Sequence, residues 1–142
     1  TRRVVYFHLL PDRSLALEAI EPGVGGFQRL IFRIGFPFFR FMMRRGMNIS
    51  TASAERSLDF TRRVFRAVDE RLSDGRSFLV GDVFTAADLS FSALAAPVLL
   101  PVEYGAPLPD FERLPTGASE MIEEFRRTTA GTFALRIYRE LR

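Results

Sequence analysis

Apolar and polar residues alternate with helical periods along most of this chain, and one stretch stands out by having almost no polar face. From Ala86 to Pro97 the apolar residues are Ala86, Ala87, Leu89, Phe91, Ala93, Leu94, Ala95 and Ala96. A helix that is apolar on all sides is a buried one, and its small residues let neighbouring helices approach closely. Gly81-Asp82 marks a turn after the apolar run Phe78-Leu79-Val80. Thr85 suits an N-cap, because its hydroxyl can accept a hydrogen bond from an orphan N–H of the first turn. Asp88, three residues on, completes a capping box, with Asp in the place more often held by Glu or Gln. A negative charge there also suits the helix dipole. Phe84 before the cap and Leu89 at the fourth helical position have the spacing of a hydrophobic staple. Pro97 predicts an end or a kink.

The other segments read as helices of ordinary amphipathic kind. Residues 2–10 form a short helical run, 15–20 continue it after Pro11-Asp12, and Pro22-Gly23 and Gly25-Gly26 break the chain. Residues 27–47 carry Arg29, Arg33, Arg40 and Arg44 within an arc of about 60°, and nearly everything else is apolar. Gly35 and Pro37 predict a kink there. Five Arg in that stretch argue against a transmembrane helix. A membrane-surface helix would share the broad apolar face and cationic edge, but we read the segment as a core helix that also supplies a subunit or interdomain contact. Ser50 or Thr51 caps the next helix, which runs to about Leu72 with Leu58, Thr61, Phe65, Val68 and Leu72 three and four apart, broadened by Val64. Asp59/Arg63 and Arg66/Glu70 have the i,i+4 spacing of solvated ion pairs. Ser73-Asp74-Gly75 ends this helix. Residues 99–114 are Pro-rich and irregular. Pro115 opens a helix to about Arg127 with Met121, Ile122 and Phe125 inward, and residues 129–141 form the last one. No strand, repeat or linker is visible, so the expected fold is a single all-α helical bundle over residues 1–142.

The run Phe78-Leu79-Val80-Gly81-Asp82, followed by Phe84-Thr85-Ala86-Ala87-Asp88-Leu89, resembles the cap-and-staple signature of the C-terminal, all-helical domain of the glutathione transferase superfamily. There the motif opens the central buried helix. The resemblance implies a parent protein in which a thioredoxin-like N-terminal domain holds glutathione as co-substrate and stabilises its thiolate. It implies that the helical domain contributes walls of the second-substrate pocket and subunit or interdomain contacts. No part of this sequence matches the thioredoxin-like domain. By position in the first helix, Arg2, Tyr6 and His8 become the substrate-pocket candidates. Arg2 and Tyr6 share a face, while His8 is rotated by about 200° from Tyr6. The chain alone is expected to be inactive, and a homodimer is expected. The alternative is a stand-alone helical module for protein association, with residues 27–47 as its contact surface.

Composition narrows the chemistry. The chain of 142 residues is 47% hydrophobic, with 15 Phe and no Trp, and its mean hydropathy is +0.05. That excess hints at apolar surface covered by something outside the chain. There is no Cys and one His, which leaves no thiol nucleophile and no Cys- or His-rich metal site. All 20 basic residues are Arg, interleaved with 17 acids; a nucleic-acid site would want a basic cluster, and none is expected. No signal peptide is visible, so a cytoplasmic setting is expected, and Thr1 in place of Met suggests a piece of a longer product or a trimmed one. His8 with Asp12 could orient a base, but no Ser or Cys nucleophile stands beside it. Asp88 is explained by its capping role. Glu120, Glu123 and Glu124 lack partners at metal-ligand spacing, and no apolar strand precedes Gly23–Gly26 to make a phosphate loop. The expected lists of catalytic residues, metals and bound cofactors are therefore empty for this chain.

Overall fold

A computed structural model of the chain describes Thr1, Phe7 and residues 26–46, 50–105 and 110–141, with side chains at 26–33, 43 and 44 left out of the description. The described residues from 26 onward form five α-helices: α1 (Gly26–Gly46), α2 (Thr51–Leu72), α3 (Ala86–Leu99), α4 (Thr116–Arg126) and α5 (Thr129–Glu140), with 3-10 turns at Val102–Tyr104 and Phe111–Arg113. Among the described residues there is no strand. The helical segments expected at 2–10 and 15–20 lie outside the described residues, apart from Phe7.

Local chemistry explains the boundaries. Ser50 opens α2 through a reciprocal capping box with Ser53: the Ser50 hydroxyl accepts from Ser53 N–H, and Ser53 Oγ accepts from Ser50 N–H at 3.0 Å. The positive φ at Gly75 and Gly81 (83° and 65°) falls in the turns on either side of residues 76–80, where glycine has no Cβ penalty. Pro97 does not end α3; the helix runs two residues further and stops at Leu100, which is left-handed with φ 44°. A proline in the last turn forfeits one intrahelical bond, and the carbonyls at the helix end find their donor outside the helix. Arg126 donates to the carbonyls of Leu99 at 2.7 Å and Leu100 at 2.8 Å. It thereby places a cation at a helix C-terminus that has no basic residue of its own.

The core joins α2, α3, α4 and α5. Phe65 from α2 meets Phe125 from α4 at 4.5 Å between ring centroids and Phe91 from α3 at 5.4 Å, among Ala95, Val98, Leu99, Met121, Ile122, Ala130 and Ala134. The expected stripe of α2 points inward, with Thr61, Phe65 and Leu72 buried and Leu58 and Val68 half-buried. The ion pairs on α2 differ from the expected spacing. Asp59 pairs with Arg62 at 3.6 Å. Arg62 also binds Glu124 of α4 bidentately at 2.6 and 2.7 Å, and Arg63 lies over the Phe60 ring. Tertiary partners are available to Arg62 that the local sequence does not show.

α5, more than α3, occupies the middle: it packs against α2, α3, α4 and the Val102–Tyr104 turn. Two caps fix its start. Thr128 Oγ1 accepts from Gly131 N–H at 2.9 Å, and Asp69 of α2 accepts from Ala130 N–H at 2.6 Å. Gly131 lies so close to the end of α4 that a Cβ there would sit 2.0 Å from the carbonyl oxygen of Phe125.

Burial of α3 is one-sided, which corrects the expectation of a helix buried all round. Asp88, Ser92, Ala95, Ala96, Val98 and Leu99 are buried, while Leu89 is 57% and Leu94 67% exposed. The physical reason is that α4 and α5 cover one face only. The apolar sequence of α3 therefore describes a helix with two apolar faces, one of which the described residues leave open.

Candidate functional site

Asp88 is the best-connected polar side chain of α3. Its Oδ2 accepts from Thr85 N–H and from the Thr85 hydroxyl, both at 2.7 Å, and its Oδ1 accepts from Leu79 N–H at 2.7 Å. Thr85 Oγ1 in turn accepts from Ala87 N–H at 3.3 Å. One carboxylate thus starts the helix and ties down the loop before it. The same loop is held from outside by Arg71 donating to Leu79 C=O at 3.1 Å and Arg136 donating to Ser77 C=O. Burial pushes the Asp88 carboxyl upward in pKa, but the hydrogen bonds from Leu79, Thr85 O–H and Thr85 N–H outweigh it and hold it below the ordinary value. A fully buried carboxylate that accepts from three donors serves as a structural acceptor.

The two staple residues do something else. Phe84 and Leu89 are both exposed, and the Phe84 ring meets Phe78 edge-on at 6.3 Å. Both border a groove of about 540 Å³ between α3 and the end of α5, lined also by Ser92, Ala93, Tyr104, Gly105, Ile137, Tyr138 and Leu141. The rings of Tyr104 and Tyr138 lie 6.3 Å apart. Ser92 is 2% exposed, and its Oγ has no hydrogen-bond partner among the described residues. Sequence reading passes over this groove: Ser92 looks like an ordinary helical serine, and its lining comes from segments about 50 residues apart.

A second apolar depression, of about 200 Å³, lies between α2 and α3, lined by Thr1, Phe60, Thr61, Val64, Phe65, Phe91, Leu94 and Ala95. α1 adds a third apolar surface: Ile34 (73% exposed), Phe38 (69%), Phe41 and Met42 follow one another at spacings of four, three and one, which puts them on one side of the helix.

The substrate-pocket candidates Arg2, Tyr6 and His8 lie outside the described residues, as does Asp12. Glu123 and Glu124 are engaged by Arg127 and Arg62, and the described residues hold no group of His, Cys, Asp and Glu able to bind a metal. No described helix is long and apolar enough to cross a membrane.

The family model described as glutathione S-transferase, C-terminal domain, matches residues 28–115, more than half of the chain. No curated protein and no solved structure matches it. The matched span runs from α1 through the capped start of α3 to the Pro115 cap of α4. With its helical order and its Thr85/Asp88 box, the chain belongs to the glutathione S-transferase C-terminal domain family.

Proposed function

We propose that this chain is the helical half of a glutathione-transferase-like protein. It forms the apolar wall against which a second substrate rests, and it docks against a thioredoxin-like domain that binds glutathione. The observation that carries this reading is the open apolar face of α3 and its neighbours. Leu94 of α3 and Phe60 and Val64 of α2 stand exposed around the α2–α3 depression, while Ala95, Ala96, Val98 and Leu99 of α3 are buried. Large contiguous apolar surface on a soluble domain marks a place where something else sits. Arg2, Tyr6 and His8 remain the proposed polar contacts of the substrate pocket. The chain brings the wall and leaves thiol activation to its partner domain, so it does not conjugate glutathione by itself. The test is the sequence of the full-length gene product. The reading requires a thioredoxin-like βαβ segment upstream in the same polypeptide, and a product lacking that segment overturns it.

The line of Ile34, Phe38, Phe41 and Met42 along α1 favours a second reading, in which the chain is an association module that forms a homodimer through this helix. Sedimentation at micromolar concentration separates the two. A dimer that Phe38→Asp dissociates supports association through α1, and a monomer at all concentrations counts against it.

A further inference from the structure

We propose that the groove between α3 and the end of α5 binds a neutral, aromatic small molecule bearing a hydroxyl group, with Ser92 as its polar contact. Its volume of about 540 Å³ falls in the range of sites that enclose small ligands. Apolar and aromatic side chains, from Phe84, Leu89, Ile137, Tyr138 and Leu141, make up much of its lining, and none of the described residues that line it is Asp, Glu or Arg. In a chain that is 26% charged, that absence selects against an ionic ligand, whose charge would lose its hydration with no counterion to meet it. The Tyr104 and Tyr138 rings, tilted by 46° to one another, and the exposed Phe84 ring offer faces and edges suited to an aromatic body.

The specific element is Ser92. A buried hydroxyl that makes no hydrogen bond is a cost to the folded chain, and serine within a helix ordinarily relieves that cost by donating to the carbonyl four residues back. Ser92 does not; its oxygen is the buried side-chain polar atom without a partner among the described residues. It belongs to the groove lining, beneath its surface, and a ligand hydroxyl that reaches it on a small shift of the lining side chains can both donate to it and accept from it. A carbonyl ligand could only accept, so a hydroxyl is the closer complement. The inference concerns the chain itself and holds whether or not a thioredoxin-like domain accompanies it.

The experiment compares two probes of nearly equal shape, 1-naphthol and 1-methylnaphthalene, by fluorescence titration of the purified 142-residue chain. Saturable one-to-one binding of 1-naphthol is expected, stronger than that of 1-methylnaphthalene. Ser92→Ala should weaken 1-naphthol by about tenfold, leave 1-methylnaphthalene unchanged and raise the melting temperature of the free protein. Ala93→Trp, at an exposed lining position, should remove both probes while the chain still unfolds cooperatively. The proposal is overturned if neither probe saturates, if Ser92→Ala leaves the preference for 1-naphthol intact, or if Ala93→Trp binds both as before.

Discussion

Asp88 shows how one side chain can hold together two parts of a fold that its neighbours in sequence only begin. It closes the first turn of α3 through Thr85 and fixes Leu79 nine residues back. Truncation to Ala would leave the buried Leu79 N–H and the half-buried Thr85 N–H without their acceptor, a loss of about 1–3 kcal/mol for the buried group and less for the other. We therefore expect Asp88→Ala to lower unfolding free energy by about 3 kcal/mol, read by urea denaturation. A variant that unfolds like the wild type but loses ligand binding would make Asp88 a binding residue instead of a scaffold. The pH dependence has a definite sign. The carboxyl is held below its ordinary value in the folded state, so its contribution is fully present above the unfolded value of about 3.9 and is lost as pH falls through the lower folded value. Acid unfolding of the wild type should accordingly be steeper below about pH 4 than that of Asp88→Ala.

At the scale of elements, α4 and α5 meet through a contact that only glycine permits. In a helix interior Gly→Ala ordinarily stabilises by roughly 0.5–1 kcal/mol. At Gly131 the sign reverses, because the new Cβ would fall 2.0 Å from the Phe125 carbonyl oxygen. That oxygen already accepts from the Thr128 N–H and hydroxyl. Gly131→Ala should cost about 2–3 kcal/mol, seen as a lower urea midpoint with an unchanged slope. Much of the element plan is legible in sequence, since caps and stripes depend on residues three and four apart. Ser50, Thr85 with Asp88, the Leu58–Leu72 stripe and the Pro115 start are of this kind. What is not legible depends on contacts across the bundle. Asp69 caps α5 from 61 residues away, and Arg126 covers the end of α3 from 26 and 27 residues away. No local spacing distinguishes these residues from solvated ones. The all-round apolar pattern of α3 misleads for a related reason: it states that both faces avoid water, and leaves open whether this chain covers both. The groove at Ser92 was invisible because a small hydroxyl in a helix carries no periodic signal.

Taken as a whole molecule, the chain has one well-packed group of helices, α2 to α5, and apolar surfaces on α1, on the α2–α3 side and along the α3–α5 groove. Its prominent polar motif is spent on folding, and its open faces suit apolar contact. On the proposed function, the domain shapes a substrate pocket and thiol activation comes from a partner domain. That division of labour is tested most directly by steady-state conjugation of glutathione to 1-chloro-2,4-dinitrobenzene, using the purified 142-residue chain after cooperative unfolding has shown it to be folded. The expected rate is that of the uncatalysed mixture at every protein concentration. Turnover that saturates with glutathione and rises in proportion to the chain would contradict the account.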